Sequence, residues 1–425
     1  MKCIRVRASA LYLVIVIALV ISIICSALIV TAYYYRAMYQ KADRYAKLQA
    51  NISSAINILI AGQDTSYQEK TFSLFDAEQD SVKIKRTFWG IYDVGAACAF
   101  INRDSLYKTF SIARVIDSSK WCALYLTDNG RPLGLSGKTI IRGDVFLPPA
   151  GVNQAYVNNE AYTGDPKLIS GKKHDSAKEL PGLDSISLLR FKTLFKQDST
   201  VNLTTSYNDT INQSFRQETK VINFKNQPIV ITSKKLSGNI ALYSDTTITI
   251  DSTVILNNII VLAKVIIVKP GFNGSCQLIA TDSVSVGKRC TFEYPSCLGV
   301  LRFGVGQLNG IQAKVSLNDR TIVNGCIFTY QEKKTAIEPL LSIGPNVVVK
   351  GQVYAQGVLK LFDHSEIDGS VFAEKFLYQT SFTLYENYLV NVTLDENALS
   401  PYYLSSALFP VAKPKRKILE WIEGN

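Results

Sequence analysis

The chain has 425 residues, 47% of them hydrophobic and 19% charged, with a formal net charge of +11. This composition excludes a disordered chain. Two histidines and eight cysteines without a CxxC pair exclude the common zinc modules. The basic residues are scattered except for KPKRK at 413–417, and no sheet interleaves aromatics with Lys and Arg, so no nucleic-acid partner is expected.

In chain order, residues 1–7 form a short basic leader with Lys2, Arg5 and Arg7. Residues 8–35 follow without a single charge (ASALYLVIVIALVISIICSALIVTAYYY). A bilayer needs roughly 20 apolar residues, so this run predicts a transmembrane helix. Tyr33, Tyr34 and Tyr35 lie at its interface end, where aromatic rings prefer to sit. The leader charges place the N-terminus in the cytoplasm of a single-pass cell-membrane protein, and the body outside it. A signal peptide cut after Val30-Thr31-Ala32 is the other reading, although its apolar region would be long for that class.

The helical pattern outlives the membrane. Met38, Tyr45, Ile52 and Leu59 recur every seven residues, with Leu48 and Ala55 between them. Nothing interrupts the pattern before Gly62, a suitable C-terminal stop. Residues 36–62 are therefore predicted as a helical stalk continuous with the span, the whole roughly 80 Å long at the standard rise. The leader MKCIRVRA followed by SALYLVIVIALV resembles the start of type IV pilins and pseudopilins over about sixty residues. That likeness implies a membrane-held subunit with pilus- or secretion-type or self-assembly partners. A plain signal anchor with a stalk fits the same residues.

The body reads as mainly β. Residues 63–131 hold runs suited to antiparallel strands, with Asp128-Asn129-Gly130 as a turn. Residues 132–163 contain IRGDVFL and are assigned to first coils of a solenoid. Residues 164–226 are polar and read as an insertion or cap, with SISLLRFKTLF at 185–195 spaced as a helix. In residues 227–393 a motif returns: VNGCIFT at 323–329, VKGQVYA at 349–355, IDGSVFA at 367–373, and more loosely LSGNIAL at 236–242. Glycine suits a tight corner because it takes positive φ without steric cost. Short strands at intervals of about 18–20 residues predict a parallel, right-handed β-solenoid whose turns bury each other's apolar faces. The stretch VVVKGQVYAQGVLKLFDHSEIDGSVFAEKF resembles the polymer-forming bactofilins, which implies a stacking scaffold without a catalytic site. Residues 394–425 are expected to cap the last coil as a C-terminal tail.

Signatures of catalysis are few. His174 and His364 stand apart and read as surface residues. GxSxG and the Walker loop are absent, and GVGQLNG at 304–310 lacks the lysine and the context of a phosphate loop. Asp363, Glu366 and Asp368 read as a solvated corner. Cys98, Cys122, Cys276, Cys290, Cys297 and Cys326 read as buried thiols, with one or two disulfides as the alternative. No catalytic, cofactor-binding or metal residue is assigned, and no cofactor. The expected function is a non-enzymatic, membrane-anchored structural or assembly protein of the cell envelope. The alternatives are a membrane-tethered carbohydrate-active solenoid enzyme, signalled by three or more carboxylates on one groove, and a glycan-binding adhesin.

Overall fold

The structure is a computed structural model that describes residues 8–62, 67–74, 80–195, 209–304 and 310–424. The basic leader, Cys3, residues 202–208 and the centre of GVGQLNG lie outside the described residues. The chain is mainly β, with one long N-terminal helix and a large parallel sheet. It divides into two compact units, the first containing the chain up to Arg86 and Gly95–Lys108, the second Thr87–Val94 and Thr109–Glu423.

In the first unit a single helix runs unbroken over Ala8–Ala61 and stops where the Gly62 amide donates to the Ile58 carbonyl. Leu48, Ile52, Ala55, Ile56 and Leu59 are buried along one stripe of its C-terminal half. Asn51 donates to Asp80 at 3.0 Å and Arg44 pairs with Asp104 at 2.8 Å, joining the helix to the strands of this unit. Lys70–Phe72 pairs antiparallel with the strand Asp80–Trp89. Val82, Ala97, Ala99, Ile101 and Leu106 supply the remaining apolar burial.

The second unit is a parallel sheet wound in three-faced turns. The strand Lys235–Ile250 shows the plan, because its ladder breaks after Ser237 and after Ser244 and so divides into three segments. The short strands Thr210–Gln213, Lys220–Asn223 and Ile229–Ile231 each pair in parallel with one of those segments. On the middle face, Leu242, Val261, Leu278, Leu298, Ile327, Val353 and Val371 stand in register on successive strands, all fully buried. A second inward ladder on the first face runs Phe292, Val323, Val349 and Ile367. At about 1.5–3 kcal/mol for each large apolar side chain removed from water, such ladders dominate the favourable free energy of the fold. One turn alone could not provide it, since each buries its face against the next.

The glycine motif is the corner between the first and middle faces. Gly325, Gly351 and Gly369 lie in register, with φ of +146°, +146° and +144°. A Cβ on Gly351 would sit 1.9 Å from the Gly325 carbonyl oxygen, and one on Gly369 would sit 2.0 Å from the Gly351 oxygen. The aromatic of each motif points outward from the winding and is nonetheless buried. Tyr354 and Phe372 are both 4% exposed. They belong to a ladder in which Tyr354, Phe372, Tyr125, Phe146 and His174 follow one another with ring centroids 6.4, 5.4, 5.4 and 4.9 Å apart. Gly299 precedes Phe328 in the same row, and a side chain there would meet the Phe328 ring at 2.2 Å.

A flanking layer covers this outer surface. It contains Trp89, Ile91, Tyr92, Phe191, Leu408 and Phe409, which form a second core with the outward residues of the middle face. Phe191 comes from the helix Ser185–Leu194, capped by Asp184, whose carboxylate accepts from the Ser187 amide at 2.8 Å. The final strand Ala412–Gly424 neighbours the strand Asp104–Ile116, and Trp421 meets Phe110 edge-on at 5.4 Å.

One feature of the winding departs from chain order. The sequence places IRGDVFL ahead of the turns that resume near residue 227. In the structure it lies beyond the last of them. Thr393–Asp395 pairs with Glu366–Asp368 on one side and with Ile140–Arg142 on the other. Leu124–Leu126 pairs with residues 371–373, and Val145 and Phe146 pair with Leu124 and Tyr125 in turn. Lys173–Asp175 adds a further rung on Val145–Leu147. The winding thus passes from Asp395 to Leu124 without a covalent link, and one turn is assembled from two segments about 270 residues apart in sequence. Leu124, Val145 and Leu394 are fully buried in the same core as Leu278, so the junction is as dry as any other rung.

Candidate membrane helix and surface side chains

The N-terminal helix forms because residues 8–61 contain no Pro or Gly and are rich in Leu, Ile, Val and Ala. Its apolar half is unpartnered. The most apolar eighteen-residue stretch has a mean hydropathy of 3.3, and none of it is buried. The seven-residue stripe divides in two. Ile52 and Leu59 are buried within the first unit, whereas Met38 is 58% and Tyr45 50% exposed. The lower stripe therefore stabilises this chain and is not available to a partner. The Arg44–Asp104 pair on the same helix is half exposed on both sides, and such pairs contribute little.

The structure brings carboxylates together more closely than a solvated corner would. Asp368 is only 7% exposed and stands in register between Lys350 and Asp395. Asp395 receives Arg142 at 3.1 Å, and Glu396 accepts from the Asp144 amide at 3.3 Å. Burial pushes the Asp368 carboxyl up, and the Glu366 charge beside it pushes the same way. Burial likewise raises Glu396, helped by Asp144 and Asp395. Asp363 is raised by burial and then by Glu160. These acids hold their protons more tightly folded than unfolded. Their unfavourable contribution is absent below about pH 4, grows as pH rises towards the raised folded values, and stays in force above them. Asp368→Asn is therefore expected to raise Tm by about 1–2 °C at pH 8 and to leave it unchanged at pH 4. Equal shifts at both pH values in a thermal-melt series would refute this.

His174 ends the aromatic ladder on Phe146 and lies 3.9 Å from Asp144. His364 sits at a turn with φ +60°, its amide donating to the Asn391 carbonyl. Cys98, Cys122, Cys276, Cys290, Cys297 and Cys326 are buried and free. Burial pushes the Cys122 thiol up to about 12 and raises Cys276 and Cys297 too, the latter with its in-register neighbour Cys326 adding to the effect. Nucleophilic chemistry needs a thiolate, and these sites oppose one. Among the described residues no three His, Cys, Asp or Glu side chains are arranged to hold a metal ion.

No family model matches the chain, and no curated protein matches its sequence. Among solved structures it is similar to the competence-associated pilin ComZ from Thermus thermophilus, with 9% identity, 84% of this chain and 86% of that one covered, and a TM-score of 0.27. At that score a common fold is not established.

Proposed function

We propose that the chain is a single-pass, membrane-anchored structural or assembly protein of the cell envelope, of pseudopilin or surface-scaffold kind, with its body outside the cytoplasm. One observation carries this reading: within the uncharged helical run, residues 10–35 all stay uncovered in the folded chain. Leu11, Ile29 and Val30 are each more than 60% exposed, a display that water penalises and lipid rewards. The run measures about 42 Å, enough for a hydrocarbon core of about 30 Å. The same helix continues into the first unit, so the anchor is stiffly joined to what it holds. The basic stretch 413–417 lies in the last strand, where Lys413 is 3.6 Å from Asp117, which favours a structural role for it over a nucleic-acid one.

The full chain is expected to stay in the membrane pellet after alkaline carbonate extraction. Val16→Arg with Ile21→Arg should release it, since each arginine at the span centre costs about 2.5–3.5 kcal/mol. Extraction of the unaltered chain into the soluble fraction would refute the anchor.

The row of Glu366, Asp368, Asp395, Glu396 and Asp144 supports a second reading, a tethered carbohydrate-active enzyme. It is the weaker one, because Asp395 is bound to Arg142 and to the Asn397 amide, and Asp144 to the Lys172 amide. Glycosidase work would need one of these acids free to act on substrate. Release of reducing sugar from a polysaccharide, abolished by Glu366→Gln, would favour the enzyme.

A further inference from the structure

Residues 376–385 (FLYQTSFTLY) carry no charge, and after Phe376 they leave the winding as a hairpin. Tyr378 pairs with Tyr385 and Gln379 with Leu384, so 380–383 form the turn. Phe382 at its tip is 98% exposed, and Leu384 beside it 60%. Water penalises this display as it does that of the N-terminal helix.

The turn satisfies its own backbone. The Thr380 amide donates to the Thr383 carbonyl at 2.9 Å, and the Thr380 hydroxyl donates to the same oxygen at 3.2 Å. That hydroxyl accepts in turn from the amides of Thr383 at 3.0 Å and Phe382 at 3.4 Å. Three amides of an exposed tip are thus bonded inside it. A loop that stays in water gains little from this, because water serves the same groups. In hydrocarbon an amide without a partner is costly.

Below the tip the side chains change in the order of a bilayer interface. Tyr378 and Tyr385 lie together with ring centroids 6.5 Å apart, and Tyr388 meets Tyr385 edge-on at 5.4 Å. Rings with one polar end favour the headgroup level. At the foot, Lys360 Nζ donates to Gln379 Oε1 at 2.8 Å, an uncharged partner. Glu160 and Asp363 stand near Tyr378. The foot therefore offers both signs of charge, which suits a zwitterionic headgroup better than an anionic one.

Size separates lipid from protein as the occupant. A stable protein interface takes roughly 20–30 residues a side, whereas this tip displays residues 381–384. A bilayer needs no matching surface. At about 3.3 Å per residue the tip stands about 10 Å beyond the tyrosine pair, close to the depth of about 5–10 Å at which interfacial segments sit.

We propose that the hairpin is a second membrane contact, which dips Phe382 and Leu384 into the acyl region of a zwitterionic phospholipid bilayer and holds its tyrosines among the headgroups. The proposal rests on the membrane reading above only in that the anchor brings a bilayer within reach.

The test is tryptophan fluorescence of Phe382→Trp in the full chain, reconstituted into phosphatidylcholine vesicles with and without bromine on the acyl chains. The contribution of Trp89, Trp121 and Trp421 is subtracted by measuring the unaltered chain in the same vesicles. The added tryptophan is expected to emit at blue-shifted wavelengths and to be quenched about twofold or more by the brominated lipid. Adding Leu384→Asp, at an exposed side chain and so harmless to folding, should reduce that quenching by about half. The proposal is overturned if the added tryptophan emits as in water and is not quenched, or if Leu384→Asp leaves the quenching unchanged. It is equally overturned if the emission shifts with the protein-to-lipid ratio without bromine quenching, which would mean that a second copy covers the tip. Carbonate extraction reads the anchor separately. Quenching in a chain that carbonate releases would refute the anchor and keep the hairpin contact, and an unquenched tip in a carbonate-resistant chain would do the reverse.

Discussion

Replacing Gly351 with valine is expected to abolish folding, or to lower Tm by more than 10 °C. Two costs coincide there. The backbone holds φ at +146°, which a β-branched residue avoids, and the new Cβ would lie 1.9 Å from the Gly325 carbonyl oxygen. That atom belongs to the backbone of the previous rung and cannot swing aside. Together they place the loss above about 4 kcal/mol, the range reserved for named structural failures. Gly369→Val should behave alike. Two controls separate the terms. Gly130 has φ of +75° with nothing within 4 Å of an added Cβ, and Gly182 has open space without positive φ. Gly130→Ala should cost only about 1–2 kcal/mol, and Gly182→Ala should be neutral or slightly stabilising. Thermal melts of the four variants decide it. Unchanged melting in both valine variants would remove the corner from the fold.

Truncating Leu124 to alanine is expected to cost about 2–5 kcal/mol, and the place where the chain loosens is as informative as the size. Leu124 is fully buried between Val371 and Val145. Hydrogen exchange should therefore quicken at residues 371–373, the rung it covers, and at 393–395, the other half of its own turn. Residues 210–231, at the far end of the stack, should keep their protection. Quickened exchange at 210–231 instead would mean that the 124–175 segment stacks in chain order and that the split turn is wrong. Leu394→Ala probes the other half of the junction and should give the same pattern.

Much of the architecture was legible in the residues. The uncharged run and its continuation to Gly62 specify a helix through composition and periodicity, which are local signals. The glycine motif was legible as a corner because positive φ is a local demand as well. The outward aromatic of each motif was visible as a repeat, but its role was not, since nothing near Tyr354 or Phe372 says that Phe409 and Tyr125 will lie against them. The stalk stripe misled in part. Its spacing announces an apolar seam, yet only its lower half is covered, which the periodicity of the helix alone does not reveal. Asp368 read as solvated because acidic neighbours in sequence usually are, whereas here Lys350 and Asp395 arrive from adjacent rungs.

The split turn has a consequence for how the protein is made. Residues 124–147 leave the ribosome early, yet their lower neighbours, 366–373 and 393–395, follow some 240 residues later. Growth from the N-terminus can therefore not zip the stack rung by rung. The early segment must wait with Leu124, Leu126 and Val145 unsheltered until nearly the whole polypeptide exists. Long-range closure of this kind slows folding and lengthens exposure to aggregation, so a holding chaperone should matter more for this chain than for one wound in simple order.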